Sequence, residues 1–159
     1  MTTVKDRIEV THDYDSDEKR GEAIPLPATL SMKLGNELAS QLDGGRTRLY
    51  SKFPFPYPDR SGLSDQFAKD AWAALTKQPD QPFQRIESNN GQPLLRYAIA
   101  DKMRKSCVDC HNSHPDTPKS DWQEDDVRGV LEVALPLGSA TDLATSNLRE
   151  SFMLLAGVG

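Results

Sequence analysis

The two cysteines of this 159-residue chain stand three residues apart, at 107 and 110, with a histidine directly behind them at 111. A pair so close cannot staple a long loop, so no disulfide framework stands in for a core, and the chain must hold together by burying apolar side chains. Its length suffices for one compact domain and not for two of ordinary size. Hydrophobic residues make up 36% and charged residues 27% of the chain, the balance of a globular protein, while eleven prolines impose several constrained turns. The net charge of −5 comes from intermixed acidic and basic residues that form no basic stripe, so nucleic acid is not an expected partner. No apolar run approaches the roughly eighteen residues of a membrane span, and the opening MTTVKDRIEV has no apolar signal-peptide region.

Residues 1–23 are rich in Asp, Glu, Lys, Arg and Thr and read as a polar linker or frayed helix, ended by Ile24-Pro25-Leu26-Pro27. From Ala28 to Leu42, leucines at 30, 34, 38 and 42 mark one stripe of a helix. On the other side Ala28, Met32, Gly35 and Ala39 make a small-residue groove, suited to a helix–helix contact or to the close approach of a flat group. Arg46 to Phe53 reads as a strand stopped by a proline-locked PFPYP loop. Ser64 is the expected N-cap of a second helix reaching about Lys77, with Phe67, Ala71, Ala74 and Leu75 inward. Phe83–Glu87 and Leu94–Met103 read as two strands around Asn89-Asn90-Gly91, a strong hairpin signal, and Val127–Leu137 as a last strand. Residues 140–158 are increasingly apolar and read as a C-terminal helix, either docked or the start of a membrane helix. The order predicts an α+β domain at 24–137, an antiparallel sheet flanked by N- and C-terminal helices, with residues 138–159 as the C-terminal helical segment.

Cys107-Val108-Asp109-Cys110-His111 matches CxxCH, the attachment signature of c-type haem. Two intervening residues let both thiols reach the vinyl edges of one macrocycle, and the next position sets an imidazole on the axis of the ring. Zinc held by Cys107, Cys110, His111 and His114 is the chief alternative, but structural zinc sites usually draw their ligand pairs from separate segments. A thioredoxin-like dithiol needs a strand–helix–strand unit with a helix N-terminus at the cysteines, and no such unit is visible. Trp122, for the ring edge, and Arg128, for a propionate carboxylate, complete the expected cofactor-binding set, each against an ordinary packing or surface role. His114 reads as an exposed loop histidine or a propionate donor.

Ile24-Pro-Leu-Pro-Ala-Thr29, Arg48-Leu-Tyr-Ser-Lys-Phe-Pro-Phe-Pro56, Asn90-Gly91 with Leu95-Arg-Tyr-Ala98, Cys107 through Trp122, and Asp126-Val-Arg-Gly-Val130 together resemble the c-type haem sensor domains of bacterial signalling proteins. Those are PAS-like extracytoplasmic modules, and the resemblance runs from about Ile24 to Leu137. It implies one covalent haem on Cys107 and Cys110 with His111 as proximal iron ligand. It also implies a location on the periplasmic side of the inner membrane, with the export signal or anchor outside this chain. The implied partners are a signalling output domain and a diatomic gas ligand, with a homodimer and a flanking membrane helix as further expectations. Some relatives place a cysteine opposite the histidine; this chain has none to spare, so Met32 is the distal candidate, beside an open or water-filled position and the weaker Tyr50 and Tyr97. The implied function is a non-enzymatic sensor input of redox state or gas. A small electron-transfer cytochrome is the alternative, and a haem peroxidase, with only His12 and His114 as spare histidines, is the third reading.

Overall fold

A computed structural model describes residues 9–11, 23–25, 27–41, 44–57 and 60–138 of the chain. Within them lie β1 (Glu9–Thr11), β2 (Ala23–Pro25), α1 (Pro27–Ser40), β3 (Arg46–Tyr50), α2 (Gln66–Leu75), β4 (Phe83–Asn89), β5 (Gln92–Lys102), α3 (Lys105–Ser113) and β6 (Val127–Pro136). The main sheet has four antiparallel strands in the order β3-β6-β5-β4, so the last strand inserts between the first and third of that set. With α1 and α2 packed against it, this is the α+β architecture that the residue pattern predicts and the PAS-like fold that the resemblance implies. β1 pairs in parallel with β2, inside a stretch whose composition reads as linker. The C-terminal helix expected at residues 140–158, Leu42 of the leucine stripe and His12 lie outside the described residues, and among those described no helix is long and apolar enough to cross a membrane.

The hairpin signal works as its chemistry requires. Asn90 (φ 51°) and Gly91 (φ 83°) both take the left-handed conformation, matching a tight primed turn whose twist suits the flanking strands. From it β5 runs out with Leu94, Arg96 and Ala98 buried and Tyr97 and Ile99 exposed, an alternation that assigns one face of the sheet to the core. There Tyr50, Ala98 and Val130 meet Phe67, Ala68, Ala71 and Leu75 of α2. The same face carries charge: Glu132 is fully buried and accepts from Arg96 Nε at 2.8 Å, Arg96 Nη2 at 3.0 Å and Arg48 Nη2 at 2.8 Å.

The N-cap of α2 is Asp65 rather than Ser64; its carboxylate accepts from the Ala68 N–H at 2.8 Å. A carboxylate is preferred here because it also faces Arg48 Nη2 at 2.9 Å and Arg96 Nη2 at 3.0 Å, while the Ser64 hydroxyl is taken by Arg48 Nη1. Partial burial alone would raise the Asp65 pKa, but the Ala68 N–H and the two guanidinium groups outweigh it and hold the carboxyl below its usual value. A depressed folded-state pKa gives stability that is present above the unfolded value near ~3.9 and is lost as pH falls through the lower, folded value. Asp65→Asn is therefore expected to lower stability at neutral pH and to flatten the acid limb below about pH 4 in pH-resolved urea melts. An acid limb identical to that of the parent would remove Asp65 from the account.

α1 lies against β3 and presents its leucines outward: Leu30, Leu34 and Leu38 are 54%, 57% and 57% exposed. The small-residue groove is accordingly a helix-on-strand contact, and neither a helix–helix seam nor a free slot occupies it at Gly35. A Cβ on Gly35 would fall 2.7 Å from both Cγ2 and Oγ1 of the buried Thr47. Gly35→Ala should gain up to ~1 kcal/mol of helix propensity and lose ~1–3 kcal/mol to overpacking, a net destabilisation. The urea midpoint should fall and should recover when Thr47→Ala is added; a midpoint raised by Gly35→Ala alone would contradict this packing.

Candidate functional site

The CxxCH segment lies on a helix, which its spacing does not by itself reveal. β5 ends at Lys102 and α3 spans Lys105–Ser113, so Cys107, Cys110 and His111 occupy positions i, i+3 and i+4, one face of a helix. No residue of α3 is fully buried; Cys107 is partly buried, Cys110 is exposed, and both are free thiols. A polar surface helix of this length has little intrinsic stability, and hydrogen bonds at both ends hold it in place. Before it, the Met103 N–H donates to Asp126 O at 2.7 Å and the Asp125 N–H to Met103 O at 2.9 Å. After it, the Asn112 amide donates to Trp122 O at 2.9 Å and accepts from the Trp122 N–H at 2.8 Å. The helix therefore follows a strand, as a dithiol centre would require, but β6 returns antiparallel to β5, so the strand–helix–strand unit of a thioredoxin-like site is absent.

The His111 ring, half-buried, packs edge-on to Phe55 with centroids 5.4 Å apart. Arg128 Nη1 reaches His111 Nε2 at 3.3 Å. An arginine can only donate, so Nε2 is the accepting nitrogen and its lone pair points at the guanidinium. Arg128 is anchored from β6 by Asp101 of β5, with Nη2 2.9 Å from the carboxylate. Its Nε is buried without a hydrogen-bond partner among the described residues. Burial first, and then the positive charge of Arg128, lower the His111 pKa against the opposing pull of Asp101, which favours the neutral, metal-ligating ring.

The other expected site residues fall in different places. Trp122 is 5% exposed, meets Phe53 edge-on at 5.8 Å, and sits beside α3 through the Asn112 clamp. His114 caps α3 at its C-terminus; its Nδ1 accepts from the Asp116 N–H at 3.1 Å and its ring meets the stacked pair Phe55 and Tyr57 edge-on. Met32 is partly buried on the α1 face that carries Gly35 and Ala39. Tyr50 is 2% exposed in the core under α2, and burial, with Glu132 nearby, raises its pKa, which removes it as a phenolate ligand. Tyr97 lies on the opposite, exposed face of β5. Cys107, Cys110, His111 and His114 do not converge: among the described residues no three His, Cys, Asp or Glu side chains form a group able to hold a metal ion. That geometry counts against the zinc alternative.

Asp101, Phe55 and Asn112 were not singled out from sequence. The first stands at the end of a strand and the second in the PFPYP loop, and neither carries a local signal of its role; Asn112, directly after the motif, had position as its only hint. A family model described as Tll0287-like matches residues 2–136. The chain belongs to the Tll0287-like family. The match spans the whole main sheet, α1 to α3 and the site, and reaches further towards the N-terminus than the resemblance drawn from motifs. No curated protein and no solved structure matches the chain.

Proposed function

We propose that this Tll0287-like chain is a c-type haem-binding sensor input domain that reports redox state or a diatomic gas to a signalling output module. The observation that carries the reading is the arrangement on α3 and its floor. Two free thiols and an imidazole share one face of a surface helix, and Nε2 of that imidazole, whose lone pair now accepts from Arg128, would be open to an iron once Arg128 turned from it to a propionate. The donor set fits the group. Cys107 and Cys110 would carry the thioethers and His111 the proximal bond, while Arg128, with its unpartnered Nε, is the cation for a propionate carboxylate. Bound haem would supply an iron able to change oxidation state or ligand; Met32 remains the distal candidate. The residues of the chain would attach and orient the group and shield one side of it with Phe55 and Trp122. In this reading any catalytic output would belong to another domain, and the domain would work on the periplasmic side of the membrane, where thioethers to haem are formed.

The family membership and the PAS-like sheet support a sensor, because such a sheet presents a small site between its surface and a few helices and lets terminal elements respond to it. A signal requires that the ligand favour one of two conformations over the other. The test is an absorption spectrum of protein matured with haem, oxidised and reduced, with a pyridine haemochrome and carbon monoxide addition. A covalent haemochrome and a carbon monoxide shift are the expected results. A covalent haem inert to carbon monoxide would favour the electron-transfer alternative, and its absence after full maturation would overturn the proposal.

A further inference from the structure

A cleft of about 470 Å³ opens beside the end of α2, between the residues that follow β3 and the segment leading from α3 into β6. It is lined by Lys52, Phe53, Trp72, Lys119, Trp122 and Asp126 among others, and by none of Cys107, Cys110, His111 or Arg128. Phe53 organises the wall: it meets Trp72 edge-on at 6.3 Å and Trp122 edge-on at 5.8 Å. Two ammonium groups stand over these rings, Lys119 Nζ 4.5 Å from the Trp122 centroid and Lys52 Nζ 5.9 Å from that of Phe53.

The charges at this cleft are unevenly matched. Asp126, the acidic lining residue, is engaged by the Gln123 N–H at 2.8 Å. Lys119 shares one of its protons with Asp121, whose side chain is 85% exposed and strongly screened. Lys52 has no carboxylate within ion-pair distance among the described residues. An organic cation would find the faces of Phe53 and Trp122 already under the chain's own ammonium groups. A neutral apolar molecule would desolvate those groups without compensation. A planar carboxylate suits both features: the two ammonium groups can leave the ring faces for its oxygens, and its own ring can take their place on the aromatic wall.

We infer that this cleft binds a small planar carboxylate, at a site that shares Trp122 with the neighbourhood of α3 but none of Cys107, Cys110, His111 or Arg128. The inference goes beyond the haem reading and does not rest on it. Trp72 and Trp122 are the two tryptophans of the chain and both line this cleft; Trp122 is also tied to α3 through Asn112, so the indole N–H signal of Trp72 in a ¹H–¹⁵N spectrum is the reporter independent of the haem, and that of Trp122 the second. The experiment titrates sodium benzoate, and benzyl alcohol as its uncharged counterpart, into the full chain as purified with its haem and into a Cys107→Ala/Cys110→Ala variant. Saturable movement of both indole signals by benzoate in both proteins is expected, with little response to benzyl alcohol. Lys52→Gln and Lys119→Gln, both surface changes, should each weaken binding about tenfold, the scale of one charge-assisted hydrogen bond. No saturable shift up to the solubility limit, an equal response to benzyl alcohol, or unchanged affinity when Lys52→Gln and Lys119→Gln are combined would each overturn the inference. So would binding confined to the cysteine variant, since the cleft would then belong to the haem. A negative haemochrome with benzoate binding intact would instead overturn the haem reading and leave the cleft standing.

Discussion

Replacing Cys107 and Cys110 together by alanine is expected to abolish covalent haem while the sheet still folds. Both thiols are free, Cys110 is exposed, and no residue of α3 is fully buried, so little packing is lost with them. The ends of α3 are held by Asn112 on Trp122 and by the backbone pairing of Met103 with Asp125 and Asp126, none of which involves a thiol. The circular dichroism spectrum and the urea midpoint should therefore stay within the ~0.5 kcal/mol typical of surface changes. Covalent haem, read as absorbance that remains with the chain through acid–acetone extraction or denaturing electrophoresis, should fall to background. Each single variant should retain attachment through one thioether, with a haemochrome band shifted by the surviving vinyl group. His111→Ala tests a different bond: attachment should persist, and the spectrum should lose the signature of proximal imidazole ligation. Full attachment in the double cysteine variant would sink the assignment of these thiols.

The second large effect concerns stability. Glu132→Ala is expected to cost about 3 kcal/mol, because it strands guanidinium groups that only a buried carboxylate now satisfies on that side. Glu132 is fully buried and takes three hydrogen bonds from Arg96 and Arg48, while Arg96 itself is 4% exposed. Asp65 and Glu87 stay in reach of Arg96, at 3.0 and 3.2 Å, which keeps the cost near the lower end of the ~3–5 kcal/mol range for broken buried pairs. Urea unfolding should show a midpoint lowered by ~1.5–2 M, given a slope of ~1.5–2 kcal/mol/M for a domain of this size. Replacing all three partners by apolar residues, Arg48→Met, Arg96→Met and Glu132→Leu, should recover most of the loss, since removing a whole buried ionic group is often close to neutral. A cost below ~1 kcal/mol for Glu132→Ala would mean that water reaches this site.

The buried ionic group is also where sequence reasoning stops short. Arg48, Arg96 and Glu132 read locally as charged positions in strands. They meet because the register sets Arg48 opposite Glu132, and Arg96 opposite Ala134 on the same face. The leucines of α1 carry a similar lesson. Their spacing marks a helix and a stripe, but periodicity cannot say which side of a helix meets the sheet, and Gly35 against Thr47 decides it in favour of the small residues. Ser64 and Asp65 are both good caps by type; only the arrival of Arg48 and Arg96 at the helix start selects the carboxylate.

What the sequence determined by itself is whatever acts over a few bonds of chain. The Asn90-Gly91 turn, the alternation along β5 and β6, the helical period of α1 and α2, and the spacing of Cys107, Cys110 and His111 are all such short-range constraints. Together they suffice for an α+β sheet domain and for the chemistry expected of residues 107–111. Tertiary structure alone decided that this motif rides on a surface helix, that Arg128 and Asp101 stand over His111, and that Phe53, Trp72 and Trp122 close around a cleft. Those neighbours come from separate strands, helices and loops. Their meeting depends on how β6 inserts between β3 and β5, a long-range pairing that no local pattern of residues encodes.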